Sequence, residues 1–147
     1  MIFSKTCNYA LRASLYIVSQ KNRDYIPIGE ISDQLKISFH FLTKILQTLT
    51  NKEIMISFKG PKGGIKLAKS PQEITIYDII TAIDGTDIFE KCLLGLDDCH
   101  SSKPCPFHEQ WEEMRENLKH IFQNNTLEIL SNRMETENLR ISDLRNI

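Results

Sequence analysis

No stretch of the 147 residues approaches the apolar length needed to cross a bilayer. No signal-peptide pattern opens the chain, so the expectation is a cytoplasmic protein with reduced thiols. Cysteine is scarce: four residues are too few for a disulfide scaffold. Also missing are a Cys-x-x-Cys motif, a phosphate-binding glycine loop and an acid/base pair with a supporting pocket. Those absences remove the usual routes to catalysis, and no enzymatic activity is expected. With 41% hydrophobic and 25% charged residues, the chain has ordinary globular composition. Its length suits one domain, or one domain with an appended module.

What cysteine there is, is concentrated. Cys92, Cys99, Cys105 and His108 fall in the spacing Cys-x6-Cys-x5-Cys-x2-His. The intervening Gly95, Asp97, Asp98, Ser101, Ser102 and Pro104 follow neither helical nor strand periodicity. A loop rich in thiols and poor in core residues needs something bound to order it. Thiolate and imidazole are the ligands preferred by zinc and by iron–sulfur clusters. Structural zinc, a purely redox thiol switch and inert cysteines are the other readings. Zinc ligands commonly stand two to four residues apart, and the wider spacing here favours a cluster. Pro106 is expected at the first position of a helix running from Phe107 to Ile121. Cys105 would then sit at that helix N-terminus, where the thiolate is favoured, with His108 on the same face.

The net charge of −1 hides a division. Residues 1–70 carry eleven Lys and Arg against four Asp and Glu, whereas residues 71–147 carry seven against fifteen. Only the first half suits a polyanion. Within it, Cys7 to Ser19 reads as a largely buried helix. A short helix follows on Ile28, Ile31 and Leu35. A tight connection at Lys36-Ile37 leads to a helix capped by Ser38, with Leu42, Ile45, Leu46 and Leu49 as its core face. Ser38, His40, Thr43, Lys44, Gln47 and Asn51 face the other way. This is a helix-turn-helix whose second helix would enter a major groove, where Gln47 suits a bidentate contact to adenine. Two β-prone runs, Ile54–Phe58 and Gly64–Leu67, flank a tip bearing Lys59, Lys62, Gly63 and Gly64, with Lys66 just beyond. They form a hairpin wing whose lysines and close backbone would meet phosphate. The predicted partner is double-stranded DNA.

The acidic half holds a helix over Ile74–Ile83, ended by Asp84-Gly85. On the later helix, Phe107, Trp111, Met114, Leu118 and Ile121 form a heptad-like seam, with Glu112, Glu113 and Glu116 outside. Trp111, Met114, Leu118 and Ile121 are the expected contacts of a homodimer matched to a palindromic operator. A Thr126-capped helix through Arg133 folds back, and residues 135–147 read as a polar tail. His100 and His120 have no evident partners. The fold class expected is mainly α with a small β-hairpin wing: a winged helix-turn-helix over residues 1–84, a cysteine loop over 85–108, and a dimerisation helix with a short helix over 106–134.

Several segments resemble the Rrf2 family of winged-helix regulators. They are Ser4-Lys-Thr-Cys-Asn-Tyr9-Ala10-Leu11-Arg12-Ala13, Ile28-Gly-Glu-Ile-Ser32, Ile37-Ser38, Gly60-Pro-Lys-Gly-Gly-Ile-Lys-Leu67, Ile76-Tyr-Asp-Ile-Ile-Thr-Ala-Ile83, the cysteine loop and Asn125-Thr126-Leu127. The resemblance implies a homodimeric, DNA-binding transcription regulator. Its ligand pattern is similar to that of the IscR-type members, which implies a 2Fe–2S cluster on Cys92, Cys99, Cys105 and His108; a 4Fe–4S cluster is the other nuclearity considered. The implied role is repression or activation governed by cluster status, through iron supply, oxidants or nitric oxide. A cluster-free or zinc-bearing repressor, answering to thiol oxidation or to a partner enzyme of cysteine metabolism, is the alternative. Asn8 stands where nitric-oxide-responsive members can use an acidic ligand, and Cys7 is expected to be a buried small residue. The Cys92–Cys99 interval is one residue longer than in IscR. Lys36 occupies a turn position that is often glycine.

Overall fold

The computed structural model describes residues 2–98 and 102–143. Helix α1 (Lys5–Ser19) begins at Ser4, whose hydroxyl accepts from the Cys7 N–H at 3.0 Å. Its buried stripe is Cys7, Ala10, Ala13, Ser14, Tyr16 and Ile17. Helix α2 (Ile28–Leu35) and helix α3 (Phe39–Asn51) follow, joined through Lys36. Lys36 adopts the left-handed conformation (φ 55°, ψ 45°), at a cost of roughly 1 kcal/mol for a residue with a Cβ. Ser32 secures the turn, its hydroxyl donating to Ile37 O at 2.6 Å. Ser38 takes the N-cap position of α3 as expected, but its side chain makes no capping bond. The first turn is closed instead by the Ser38 carbonyl, which accepts from Leu42 N at 2.8 Å.

Strands β1 (Met55–Phe58) and β2 (Gly64–Leu67) pair antiparallel in the register Met55↔Leu67 to Phe58↔Gly64. Ile26 joins them as an isolated bridge, exchanging two backbone hydrogen bonds of 2.9 Å with Ile65. The wing is thereby fastened to the α1–α2 connection. After a 3₁₀ turn at Pro71–Glu73, a capping box between Thr75 and Asp78 starts helix α4 (Ile76–Asp84). The Ser4 N–H donates to Asp84 Oδ2 at 2.8 Å, pinning the start of α1 to the end of α4. The one-turn helix α5 (Asp87–Glu90) was not anticipated; four residues are too few to show a period. Helices α6 (His108–Gln123) and α7 (Leu127–Glu137) complete the described fold.

One core collects side chains from nearly every element, including Ile31, Leu42, Leu46, Leu49, Ile65, Ile79 and Phe89. Leu127 of α7 is fully buried in it. Two backbone bonds of 2.9 Å, Ile76 N to Asn125 O and Leu127 N to Ile74 O, clasp the α6–α7 junction to the start of α4. Thr126 caps α7 as predicted, accepting from Ile129 N at 3.2 Å. The helix nevertheless runs to Glu137, past the expected end at Arg133, because Arg133 and Glu137 pair across one turn at 3.1 Å. Beyond it, Ile141 packs against the core, and its carbonyl accepts from Arg12 Nε at 2.8 Å. Arg12 Nη2 also donates to Leu35 O at 3.1 Å, so one side chain closes the end of α2 and ties down the tail. No described helix is long and apolar enough to cross a membrane.

Candidate DNA interface and candidate metal centre

Helix α3 separates its faces as its periodicity dictates. Leu42, Ile45, Leu46 and Leu49 are at most 1% exposed. Ser38, His40, Lys44, Gln47 and Asn51 are exposed on the opposite side, while Thr43 is half-buried and its hydroxyl donates to Phe39 O at 2.8 Å. Thr43 therefore offers an outside partner its methyl group and acceptor lone pairs more readily than a donor. Phe39, which sequence reasoning passed over, is 49% exposed at the head of this face, edge-on to the His40 ring. An exposed phenylalanine at a helix start carries no distinguishing signal in a single sequence.

The wing divides its lysines. Lys59 and Lys62 are exposed, and among the described residues neither enters an ion pair. Lys66 is committed internally: its Nζ lies 3.1 Å from Asp24 Oδ1 and 4.7 Å from the Tyr25 ring centroid. Those partners, Asp24 first, raise the Lys66 pKa above its usual value. This pair competes with the contribution expected of Lys66 to a phosphate-facing charge. The tip glycines also have an internal reason. A Cβ on Gly63 would stand 2.2 Å from Phe58 O, and one on Gly64 2.2 Å from Ile26 O. Both glycines are required by closure of the hairpin and by the Ile26 bridge, independently of any outside ligand.

The cysteine cluster is only partly within the described residues. Cys99 and His100 lie outside them. Cys92, eight percent exposed, directly follows the C-cap of α5, and a turn closes over it with Gly95 N donating to Cys92 O at 3.0 Å. Hydrogen bonds from the Leu96 backbone N–H, then from those of Leu94 and Gly95 and from the Cys105 thiol, hold the Cys92 pKa below its ordinary value against the effect of burial. Cys92 and Cys105 are thus in contact, thirteen positions apart in sequence. This environment favours the thiolate, the form that binds metal. The donors present therefore fit a thiophilic metal or cluster. Among the described residues, however, no group of three or more His, Cys, Asp or Glu is assembled around one point.

The start of α6 differs from expectation. Pro106 lies in a turn ahead of the helix, and Phe107 is the N-cap. Cys105 consequently stands outside the helix, its carbonyl accepting from His108 N at 3.1 Å. His108 is the first helical residue, with Nε2 3.6 Å from Glu112 Oε2 one turn on. Proline fits because neither position needs its missing N–H. Cys7 is fully buried, and burial, then Asp84, pushes its thiol up to about 12. It is a core residue, as expected, and a poor thiolate source.

The presumed seam of α6 splits in two. Trp111 and Leu118 are half-buried, and Leu118 packs on its own core beside Phe122. Buried Arg115 shares their face. Phe107, Met114 and Ile121, spaced by seven, are 42%, 54% and 54% exposed. The single stripe read from sequence is therefore two adjacent lines, one turned inward and one outward.

Known proteins agree with this architecture. The family profile described as Rrf2, iron-dependent transcriptional regulator, matches residues 3–133. An HTH-type transcriptional regulator of Aquifex aeolicus is 37% identical over 134 residues, covering 90% of this chain and 92% of its own. The IscR transcriptional regulator of Erwinia tasmaniensis is 29% identical over 138 residues, covering 94% and 82%. Among solved structures, CymR, the global cysteine regulator of B. subtilis, aligns with a TM-score of 0.76 at 24% identity, covering 88% of this chain and 95% of that one. T. potens IscR aligns with a TM-score of 0.75 at 17% identity, covering 93% and 90%. At such identities the structural likeness speaks for the winged-helix fold.

Proposed function

The chain belongs to the Rrf2 family of iron-dependent transcriptional regulators, and from that premise we propose a regulator whose operator affinity is set by an iron–sulfur cluster. Cys92, Cys99, Cys105 and His108 are its ligands, and 2Fe–2S is the nuclearity their number and type favour. The observation that carries this reading is that both ends of the cysteine loop meet the start of α6, through Trp111 Nε1 to Lys91 O and His108 N to Cys105 O, with the Cys92 thiolate favoured there. A bound cluster supplies a group whose oxidation state and integrity answer to iron, oxidants and nitric oxide. The chain's own part is to hold two sulfurs together before anything binds, and to carry His108 on the first turn of a long helix.

On this reading α3 enters the major groove. Ser38, His40, Thr43, Lys44 and Gln47 meet bases or phosphates, while Lys59 and Lys62 and the Gly63-Gly64 backbone meet phosphate. A second copy covers the exposed Phe107–Met114–Ile121 line, with Trp111 and Leu118 at its margin, giving a homodimer suited to a palindromic site. Cluster binding changes DNA affinity only by the difference in its affinity for two arrangements of that dimer.

The test is protein purified without air. Iron and acid-labile sulfide in equal amounts, and different operator affinities for the holo and apo forms, are expected. Identical affinity in both forms at every selected site refutes the sensing role. Gln47→Ala is expected to relax preference at one base pair, read by binding to a set of single-base operator variants. The nearness of Cys92 to Cys105 also favours a second reading, a cluster-free or zinc-bearing repressor whose thiols answer to oxidation or to a partner enzyme. Zinc without iron or sulfide in the anaerobic protein selects that one.

A further inference from the structure

Arg115 is 2% exposed, yet the described residues give it no carboxylate partner. Its Nη1 donates to two main-chain carbonyls instead, those of Glu90 and Lys91. One turn earlier on the same face, Trp111 Nε1 donates to Lys91 O at 2.9 Å. Glu90 ends α5 and Lys91 is its C-cap. A one-turn helix cannot keep its own carbonyls satisfied, so α6 holds it by both. Burying a guanidinium on neutral acceptors, with Nε given no partner by the described residues, is costly. An apolar residue would fill the space at less expense, so the arginine is better explained by what it grips.

What it grips leads straight into a proposed ligand. The Lys91 carbonyl belongs to the peptide plane preceding Cys92, so fixing that plane fixes where Cys92 N and Cα sit and leaves one backbone torsion, φ, between the clamp and the Cys92 side chain. The other end of the loop is tied to the same helix, through His108 N to Cys105 O. We propose that Arg115 and Trp111 are positioning residues: α6 acts as a ruler that sets Cys92 against Cys105 and His108. The inference rests on the ligand set proposed above, and it places control of that set in two side chains that touch no metal. A tilt of α6 would move both ends of the loop together.

The test begins with apo protein, reduced and without air, in which mass spectrometry follows the alkylation of each cysteine. In Arg115→Ala the loss of bonds from a charged donor is expected to raise local opening, and hence Cys92 labelling, by about ten- to a hundredfold. Cys7 stays protected, because it reports the core. Trp111→Phe keeps the ring and loses one neutral bond, so about a fivefold rise is expected. Arg115→Lys, which keeps a donor, should fall between wild type and Arg115→Ala. In reconstituted protein the same order should appear in the rate at which a chelator bleaches the visible absorption.

Cys92 labelling within twofold of wild type in Trp111→Phe and Arg115→Lys overturns the proposal. So does labelling of Cys7 that rises in parallel in those two variants, since Arg115 would then be a core plug. If wild-type protein takes up neither iron nor sulfide, the cluster reading fails, and the alkylation series still decides whether the clamp exists.

Discussion

The wing offers a direct test of which charges face outward. Lys62 is exposed and enters no described ion pair, whereas Lys66 is held by Asp24 and Tyr25. Each phosphate contact steepens the log–log salt dependence of duplex binding by about 0.9. Over a fourfold rise in salt, from about 50 to 200 mM, one such contact amounts to about a 3.5-fold change in affinity. Lys62→Ala should therefore weaken binding to every duplex alike, with a deficit about 3.5-fold smaller at the high-salt end. Lys66→Ala should leave the slope unchanged, because its charge is already neutralised within the chain. The measurement is fluorescence anisotropy on a labelled operator selected in vitro and on an unrelated duplex, at several potassium chloride concentrations. Equal flattening by the two variants refutes the division of the wing lysines, and an unchanged slope in Lys62→Ala refutes its contact with phosphate.

Four stability predictions follow from the backbone and from one ion pair. Lys36→Gly removes a left-handed side-chain residue and should stabilise the protein by about 1 kcal/mol in urea denaturation. Gly64→Ala forces a methyl group into the Ile26 carbonyl and should cost about 2–4 kcal/mol by loss of the two bridge hydrogen bonds and added strain. Gly29→Ala, within α2 and with nothing inside 4 Å, should instead gain about 0.5–1 kcal/mol, and equal effects from the two would refute the steric argument. Glu30 has its pKa lowered, chiefly by the hydrogen bonds from Arg23 and with help from Tyr16. A depressed carboxylate contributes stability above the unfolded value of about 4.5 and loses it as pH falls through the folded value. The gap between wild type and Glu30→Gln, below about 1 kcal/mol for so exposed a pair, should thus be constant above pH 5 and shrink beneath it.

Most of the fold was legible wherever a long stripe met a single neighbour. The faces of α1, α3 and α4, the Lys36 turn and the hairpin strands all follow from apolar period and turn chemistry. Helix α6 was harder, since it serves two surfaces at once and its apolar residues merged into one apparent seam. Arg115 was invisible for a related reason. A charged residue between Met114 and Glu116 reads as solvated, and only the approach of α5, itself too short to announce a period, makes it interior. At the candidate centre, the spacing of cysteines and histidine identified the loop. The pairing of Cys92 with Cys105 and the turn ahead of α6 depend on contacts across thirteen residues, which local pattern cannot express.

Leu127 gives the molecule a keystone. Although it follows the long helix, it seats among side chains of the reader, and the clasp at Ile74 and Ile76 locks it there. Dissecting the protein after Asp84 would therefore not liberate an autonomous DNA-binding unit. The fragment would carry a leucine-sized hole worth about 2–5 kcal/mol, on a domain already small for its core. Regulator and reader are in this sense one indivisible body, bolted together at both ends of the same lever.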